Sequence, residues 1–276
     1  MLGPESCQTG PDPGRVVHDV HGWLPANSSC CYGKQASITD GSCVNQGLVY
    51  KRSTDNGMSW SAAIELAAPN RTHFYSNPVP VYDRIVKVTF LAVSICHTMP
   101  MYSGCSVWIA QSGQDGAPRS FSAFRRVSHG IDDFEIGENG GIQLQHGRFA
   151  GRLLIPNLSG GLGYLLSDDH GSSWRFGDYP SNWTHFGINE NQAAELPDGS
   201  LRLQSRMCCP PLPYPYPQNE TDTRVESRSF DGGEHWEQPT VTHKLEGDNI
   251  PGELFAVSQL SSCGFKLHLR FQVRHT

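Results

Sequence analysis

Ser167-Asp168-Asp169-His170-Gly171-Ser172-Ser173-Trp174 follows the pattern S-x-D-x-G-x-x-W. The pattern recurs at Ser53-Thr54-Asp55-Asn56-Gly57-Met58-Ser59-Trp60 and at Ser229-Phe230-Asp231-Gly232-Gly233-Glu234-His235-Trp236. Four fixed positions matched three times make an internal repeat, and a repeat sets architecture ahead of local propensity. The first gap is nearly double the second, which places a worn copy between them. Ser112-Gly113-Gln114-Asp115-Gly116, after the strand-like 107–110, fills that place. The copies then start at 53, 112, 167 and 229, spaced by 59, 55 and 62 residues. A unit of that size holds four short strands and their turns, which is one blade of a β-propeller.

The box explains itself as turn chemistry. Ser and Asp side chains bond nearby backbone N–H groups, the Gly can adopt positive φ, and the Trp offers a broad apolar plate to a neighbouring sheet. Each box therefore reads as a hairpin turn inside a blade and carries the fold, not a reaction.

Strand signals dominate the rest of the chain, at 84–93, 151–155 and the alternating 201–204, and no long stretch shows helical apolar period. With 29 Gly and 19 Pro among 276 residues, 10% aromatic and 17% charged, the composition is that of a turn-rich all-β domain. A net charge of −6 with no basic block argues against a nucleic-acid partner. No apolar run approaches the roughly 18 residues of a membrane span, so no transmembrane segment is expected. The nine cysteines leave at least one thiol unpaired within the chain; Cys30-Cys31 and Cys208-Cys209 lack zinc-type spacing, and Cys96 and Cys105 can bridge across a loop. Neither a metal nor an organic cofactor is suggested. Five N-x-S/T sequons, at Asn27, Asn70, Asn157, Asn182 and Asn219, lean toward the lysosome or secretory pathway. The opening residues 1–7 lack the basic start and apolar stretch of a signal peptide, which leans toward the cytoplasm. Both compartments stay open, and the oligomeric state is not legible.

Several segments add a family resemblance to the repeat. Ser76-Asn77-Pro78-Val79-Pro80-Val81-Tyr82-Asp83 follows the first box. Gly140-Gly141-Ile142-Gln143-Leu144 leads to Gly151-Arg152-Leu153-Leu154-Ile155-Pro156. Asn189-Glu190-Asn191-Gln192-Ala193-Ala194-Glu195-Leu196-Pro197-Asp198-Gly199-Ser200 runs on to Arg206. Together with the boxes these resemble the non-viral, Asp-box exo-α-sialidases, nearest to the lysosomal type, over roughly residues 30–260. The resemblance implies a six-bladed β-propeller that removes terminal sialic acid, with retention of configuration, from glycoproteins, glycolipids or oligosaccharides. Six blades need about 360 residues, so only about four to five are expected in this chain. Residues 30–262 are then an incomplete sialidase propeller, with 1–29 and 263–276 outside the family pattern.

The chemistry of the substrate explains the implied site. Sialic acid is an anion at physiological pH, and forked cations suit its carboxylate. An acid must protonate the departing oxygen. Sialidases use a tyrosine where most glycosidases use a carboxylate nucleophile, with a Glu to take its proton. By resemblance, Glu190 is that Glu, Arg206 is one arginine of the substrate-binding triad, and Asp40, thirteen residues before Ser53, is the acid/base. Lys34 stands where the family has a further substrate-facing Arg, and Asn77 lines the pocket. Glu195 reads as serving the turn or strand, and Arg52 and Lys51 as structural or solvated. No R-I-P motif occurs in residues 1–39, where Arg15 is the sole arginine, and Arg270 and Arg274 lack a matching motif. The tyrosine and two arginines of the family pattern thus have no assignment. The alternative reading is a lectin-like propeller that binds sialylated glycans without cleaving them.

Overall fold

In the computed structural model the chain is built of β-strands. The structure describes residues 17–23, 47–53, 58–68, 72–97, 103–113, 119–127, 136, 140–156, 163–179, 188–207, 224–242, 252–257 and 266–271. Three antiparallel sheets have four strands each. The first holds β4 (His73–Asp83), β5 (Val88–His97), β6 (Ser103–Gln111) and β7 (Arg125–Arg126). The second holds β8 (Ile142–Gln143), β9 (Leu153–Ile155), β10 (Gly163–Ser167) and β11 (Arg175–Asp178). The third holds β12 (Ile188–Glu195), β13 (Leu201–Met207), β14 (Arg224–Ser229) and β15 (Thr240–Thr242). A three-stranded sheet of β1 (Val17–Trp23), β2 (Gly47–Ser53) and β3 (Ile64–Ala67) precedes them, and the pair β16 (Gly252–Val257) and β17 (Lys266–Phe271) follows. Within each four-stranded sheet, strand order equals chain order. These are propeller blades, and the all-β expectation holds.

Blades stack face to face, so both faces of their middle strands are covered. Side chains alternate along β5: Leu91 and Val93 pack toward the first sheet with Leu48 and Tyr50, while Phe90 and Ala92 pack toward the β8–β11 blade with Leu153, Ile155 and Leu165. Leu154, Tyr164 and Leu166 of that blade face the next one, meeting Ala193, Leu201, Leu203 and Val225. A strand buried on both faces reads as a continuous apolar run rather than an alternating one.

In the four-stranded sheets the boxes are hairpins between the third and fourth strands, and in the three-stranded sheet the box joins β2 to β3, as their chemistry predicts. In the box at 167–174, Ser167 Oγ donates to Asp169 and accepts from Gly171 N, and Asp169 accepts from Ser173 N. The box at 229–236 repeats the network with Ser229, Asp231, Gly233 N and His235 N. The worn copy keeps the closing bonds: Ser122 N donates to Gln111 O and Ser122 Oγ accepts from Gln111 N, matching Ser61 with Arg52 in the first box. In three of the four boxes the aromatic reaches back. Phe121 packs edge-on to Tyr50, Trp174 to Phe90 and Trp236 to Tyr164, each on the preceding sheet.

One strand expectation needs correcting. Residues 84–87 belong to the β4–β5 turn, and β5 begins at Val88. The buried Asp83 accepts from Ile85 N and Val86 N, and Lys87 takes φ 58, which together reverse the chain despite its apolar residues. Cys96 and Cys105 form a disulfide joining β5 to β6. The five sequons and the other seven cysteines lie outside the described residues.

Candidate active site

The innermost strands of two blades carry the same irregularity. In β4 the pairing runs from Ser76↔Ser94 to Val79↔Ala92, so Asn77 and Pro78 together oppose Val93. In β12 it runs from Asn189↔Arg206 to Gln192↔Gln204, so Glu190 and Asn191 together oppose Ser205. Both are β-bulges, and in both the first bulged residue adopts a left-handed backbone, φ 49 at Asn77 and φ 53 at Glu190. For a non-Gly residue that conformation costs about 1–2 kcal/mol, so the surroundings must hold it. Bulges re-aim a side chain out of the strand's alternation. Pro78 fits the first bulge because the unpaired position needs no N–H.

The holding contacts are visible. Asn77 Nδ2 donates to Ile136 O at 2.8 Å, while Ser94 Oγ accepts from Ile136 N. Residue 136 is thereby fastened to the blade by both backbone groups. After Glu190, Asn191 is fully buried, and the buried Tyr179 hydroxyl donates to Pro156 O. Burial pushes the Tyr179 phenol well above its ordinary value, so this hydroxyl stays protonated and structural. Gln192 Nε2 donates to Gly140 O. Glu190 itself is half-buried, with Oε2 shut off from solvent.

Gly140 and Gly141 connect the two bulged strands. Gly141 N donates to Pro80 O of β4, and Gly140 O accepts from Gln192 of β12. A Cβ on Gly141 would stand 2.7 Å from Val81 Cβ, so only glycine permits this approach. The short β8 between them thus brings the bulges of β4 and β12 toward one centre. Arg206 lies on β13 directly across from Asn189, adjacent to the β12 bulge, and opposite Arg224 of β14. By strand position, Glu190, Asn77 and Arg206 lie toward the same end of their blades. Asp40 and Lys34 lie outside the described residues.

Glu195 does something different. Its carboxylate accepts from Gln145 N and His146 N, clamping the β8–β9 turn to the next blade, in keeping with the turn role read for it. Lys51 is exposed and Arg52 half-buried on β2. Arg152 was not singled out by sequence reasoning, since arginine is rarely buried. It is almost fully enclosed, paired with Asp168 and Glu234, bonded to Gly232 O and stacked on Phe149. It joins two blades at the box end, away from the bulges. Among the described residues no group of His, Cys, Asp and Glu is arranged to hold a metal ion.

Comparison with known proteins places this architecture. Residues 46–249 match the family described as BNR repeat-like domain. The anhydrosialidase of Macrobdella decora is 36% identical over 104 residues, covering 37% of this chain and 12% of that protein. The sialidase of Micromonospora viridifaciens is 42% identical over 182 residues, covering 58% of this chain and 28% of that protein. The chain thus spans under a third of these curated relatives. Its fold is similar to that of the leech intramolecular trans-sialidase (TM-score 0.65, 17% identity, 82% of this chain and 51% of that one). It is also similar to that of the intramolecular trans-sialidase from Ruminococcus gnavus (TM-score 0.64, 15% identity, 82% and 70%).

Proposed function

We infer, from the premise that this chain belongs to the sialidase family with BNR repeats, that its activity is release of terminal sialic acid from sialylated glycans. The observation that carries the reading is the bulge at Glu190. A carboxylate is held in a left-handed backbone on an innermost strand, its neighbours anchored on both sides, next to an arginine position on the adjoining strand. Strain of this kind, kept in place by its surroundings, concentrates at functional sites.

In this reading Glu190 accepts the proton of the attacking nucleophile, and Arg206 forks onto the sialic acid carboxylate. Asp40 protonates the glycosidic oxygen as the bond to the sugar breaks, then deprotonates the water that completes hydrolysis. Lys34 adds a cation without the arginine fork. Asn77 sets the pocket wall by fixing residue 136. The configuration is retained, since a covalent intermediate inverts the anomeric centre twice. The sequons and the Cys96–Cys105 disulfide support a lysosomal or secretory home, where disulfides persist.

The test is product analysis with sialyllactose. Free sialic acid and lactose in equal amounts, the sugar first appearing as the α-anomer by proton NMR, is the expected result. A 2,7-anhydro product would assign intramolecular transfer instead of hydrolysis. Binding of sialyllactose without turnover by folded protein would assign the lectin-like alternative.

A further inference from the structure

One face of the β12–β15 sheet carries a grid of charge. The pairing of β13 with β14 sets Arg202 opposite Arg228, Gln204 opposite Glu226 and Arg206 opposite Arg224. Residues two apart on a strand share a face, and so do directly opposed residues. Glu226 therefore has an arginine position at each of its four flanking corners: 202 and 206 diagonally across on β13, 224 and 228 two residues away on β14. The paired rows on either side add no second acid. Ala194, Gln192 and Asn189 continue the grid on β12, and Thr240 and Thr242 continue it on β15. The other face of the same sheet is apolar, with Ala193, Leu201, Leu203 and Val225 packed on the preceding blade.

Four arginine positions thus surround one carboxylate, and the fold gives that carboxylate to Arg202. Arg202 Nη2 donates to both oxygens of Glu226, each at 2.5 Å. The two side chains are 27% and 18% exposed, so salt screens this pair less than one on the open surface. Gln204, directly across from Glu226, is passed over. It is almost fully buried, and its Nε2 has no hydrogen-bond partner within the chain. A buried donor left unmet destabilises a fold, yet the carboxylate opposite it stays on Arg202. Arg224, opposite the Arg206 position, is enclosed as well.

We propose that Arg202 is a positioning residue for ligand binding: by occupying Glu226 it keeps that carboxylate off Arg206 and leaves the Arg206 guanidinium to an anionic ligand. The inference rests on the proposed role of Arg206 in holding the sialic acid carboxylate. Positions 202 and 206 stand at equivalent corners around Glu226, at the diagonal spacing of about 7–8 Å that long side chains bridge. An arginine already paired with an internal carboxylate binds an external one less well, because the internal pair must first be broken. Arg224 works in the same direction. A like charge directly opposite Arg206 increases the electrostatic gain when an anion arrives there. Arg202 does not touch the ligand in this account; it acts through Glu226.

The test is the KM for sialyllactose, or its Kd where binding occurs without turnover, in the parent, Arg202→Leu, Glu226→Gln and the double variant, each with its urea midpoint. In Arg202→Leu the released Glu226 captures Arg206, so KM should rise about tenfold while kcat stays within about twofold. Glu226→Gln removes the competitor and should hold KM within about twofold of the parent, alone or on top of Arg202→Leu. A pair that only braced the sheet would shift the urea midpoint and give no KM rise that Glu226→Gln reverses. Unchanged KM in folded Arg202→Leu, or no recovery in the double variant, overturns the proposal. A crystal structure of Arg202→Leu reads the pairing without substrate. Glu226 on Arg206 is expected, and Glu226 turned to Gln204 Nε2 or to solvent overturns the proposal. A parent that neither cleaves nor binds sialyllactose contradicts the sialidase reading instead, and that crystal structure then decides the fate of Glu226 alone.

Discussion

Two carboxylates five residues apart, Glu190 and Glu195, have opposite fates because of the backbone between them. The bulge at Glu190 and Asn191 resets the alternation of β12, and Glu195, past the bulge, turns to the neighbouring blade to cap Gln145 N and His146 N. The turn role of Glu195 was legible in the sequence. The positive φ at Glu190 was not, because a left-handed glutamate leaves no trace in composition. At Asn77 a trace exists, since asparagine tolerates that backbone and Pro78 marks an unpaired strand position.

Asp83 carries a residue-scale prediction. Burial works against its ionisation, but bonds from His170, Val86 N, Gln143 and Ile85 N outweigh this and hold its carboxyl below the usual range. A carboxyl depressed in the folded state adds stability above the unfolded carboxylate range, and that stability is lost as pH falls through the folded value. Asp83→Ala should therefore lower stability by about 1–3 kcal/mol at neutral pH. In urea titrations across pH, the gap between parent and variant should narrow below about pH 4. A gap that stays constant into acid would contradict the assignment.

At the scale of elements, the box spacing made the blades legible, including the worn copy, whose closing bonds survive although its Trp has become Phe121. The turn at 84–87 was not legible, because Ile85 and Val86 read as strand while the reversal depends on the Asp83 side chain and on Lys87 adopting positive φ. Gly171 gives the matching test. It has φ +77, and a Cβ there would come within 2.2 Å of the buried Phe90 ring that meets Trp174. Gly171→Ala should cost about 2–4 kcal/mol, from backbone strain and overpacking between blades. Ser172→Ala, on an exposed neighbour, should stay within about 0.5 kcal/mol. Equal urea midpoints for the two variants would show that the box does not seat one blade on the other.

At the scale of the molecule, stacked blades place two kinds of chemistry at opposite ends. Box turns, buried ion pairs and exposed apolar tips occupy one end, and bulges on the innermost strands occupy the other. The architecture was legible because repeats advertise themselves. The inter-blade strut of Arg152 was not, since a buried arginine depends on partners from three separate segments, Asp168, Gly232 and Glu234 with Phe149.

The central claim is that the bulged carboxylate performs chemistry while its neighbour five residues on only joins blades. Steady-state cleavage of a fluorogenic sialoside by the parent chain, Glu190→Gln and Glu195→Gln, each with its urea midpoint, tests this most directly. The account predicts that Glu190→Gln loses kcat by about a hundredfold or more while keeping the parent's midpoint. It predicts that Glu195→Gln keeps kcat and loses about 1–3 kcal/mol of stability. Full turnover by Glu190→Gln, or loss of turnover by a stably folded Glu195→Gln, would contradict it.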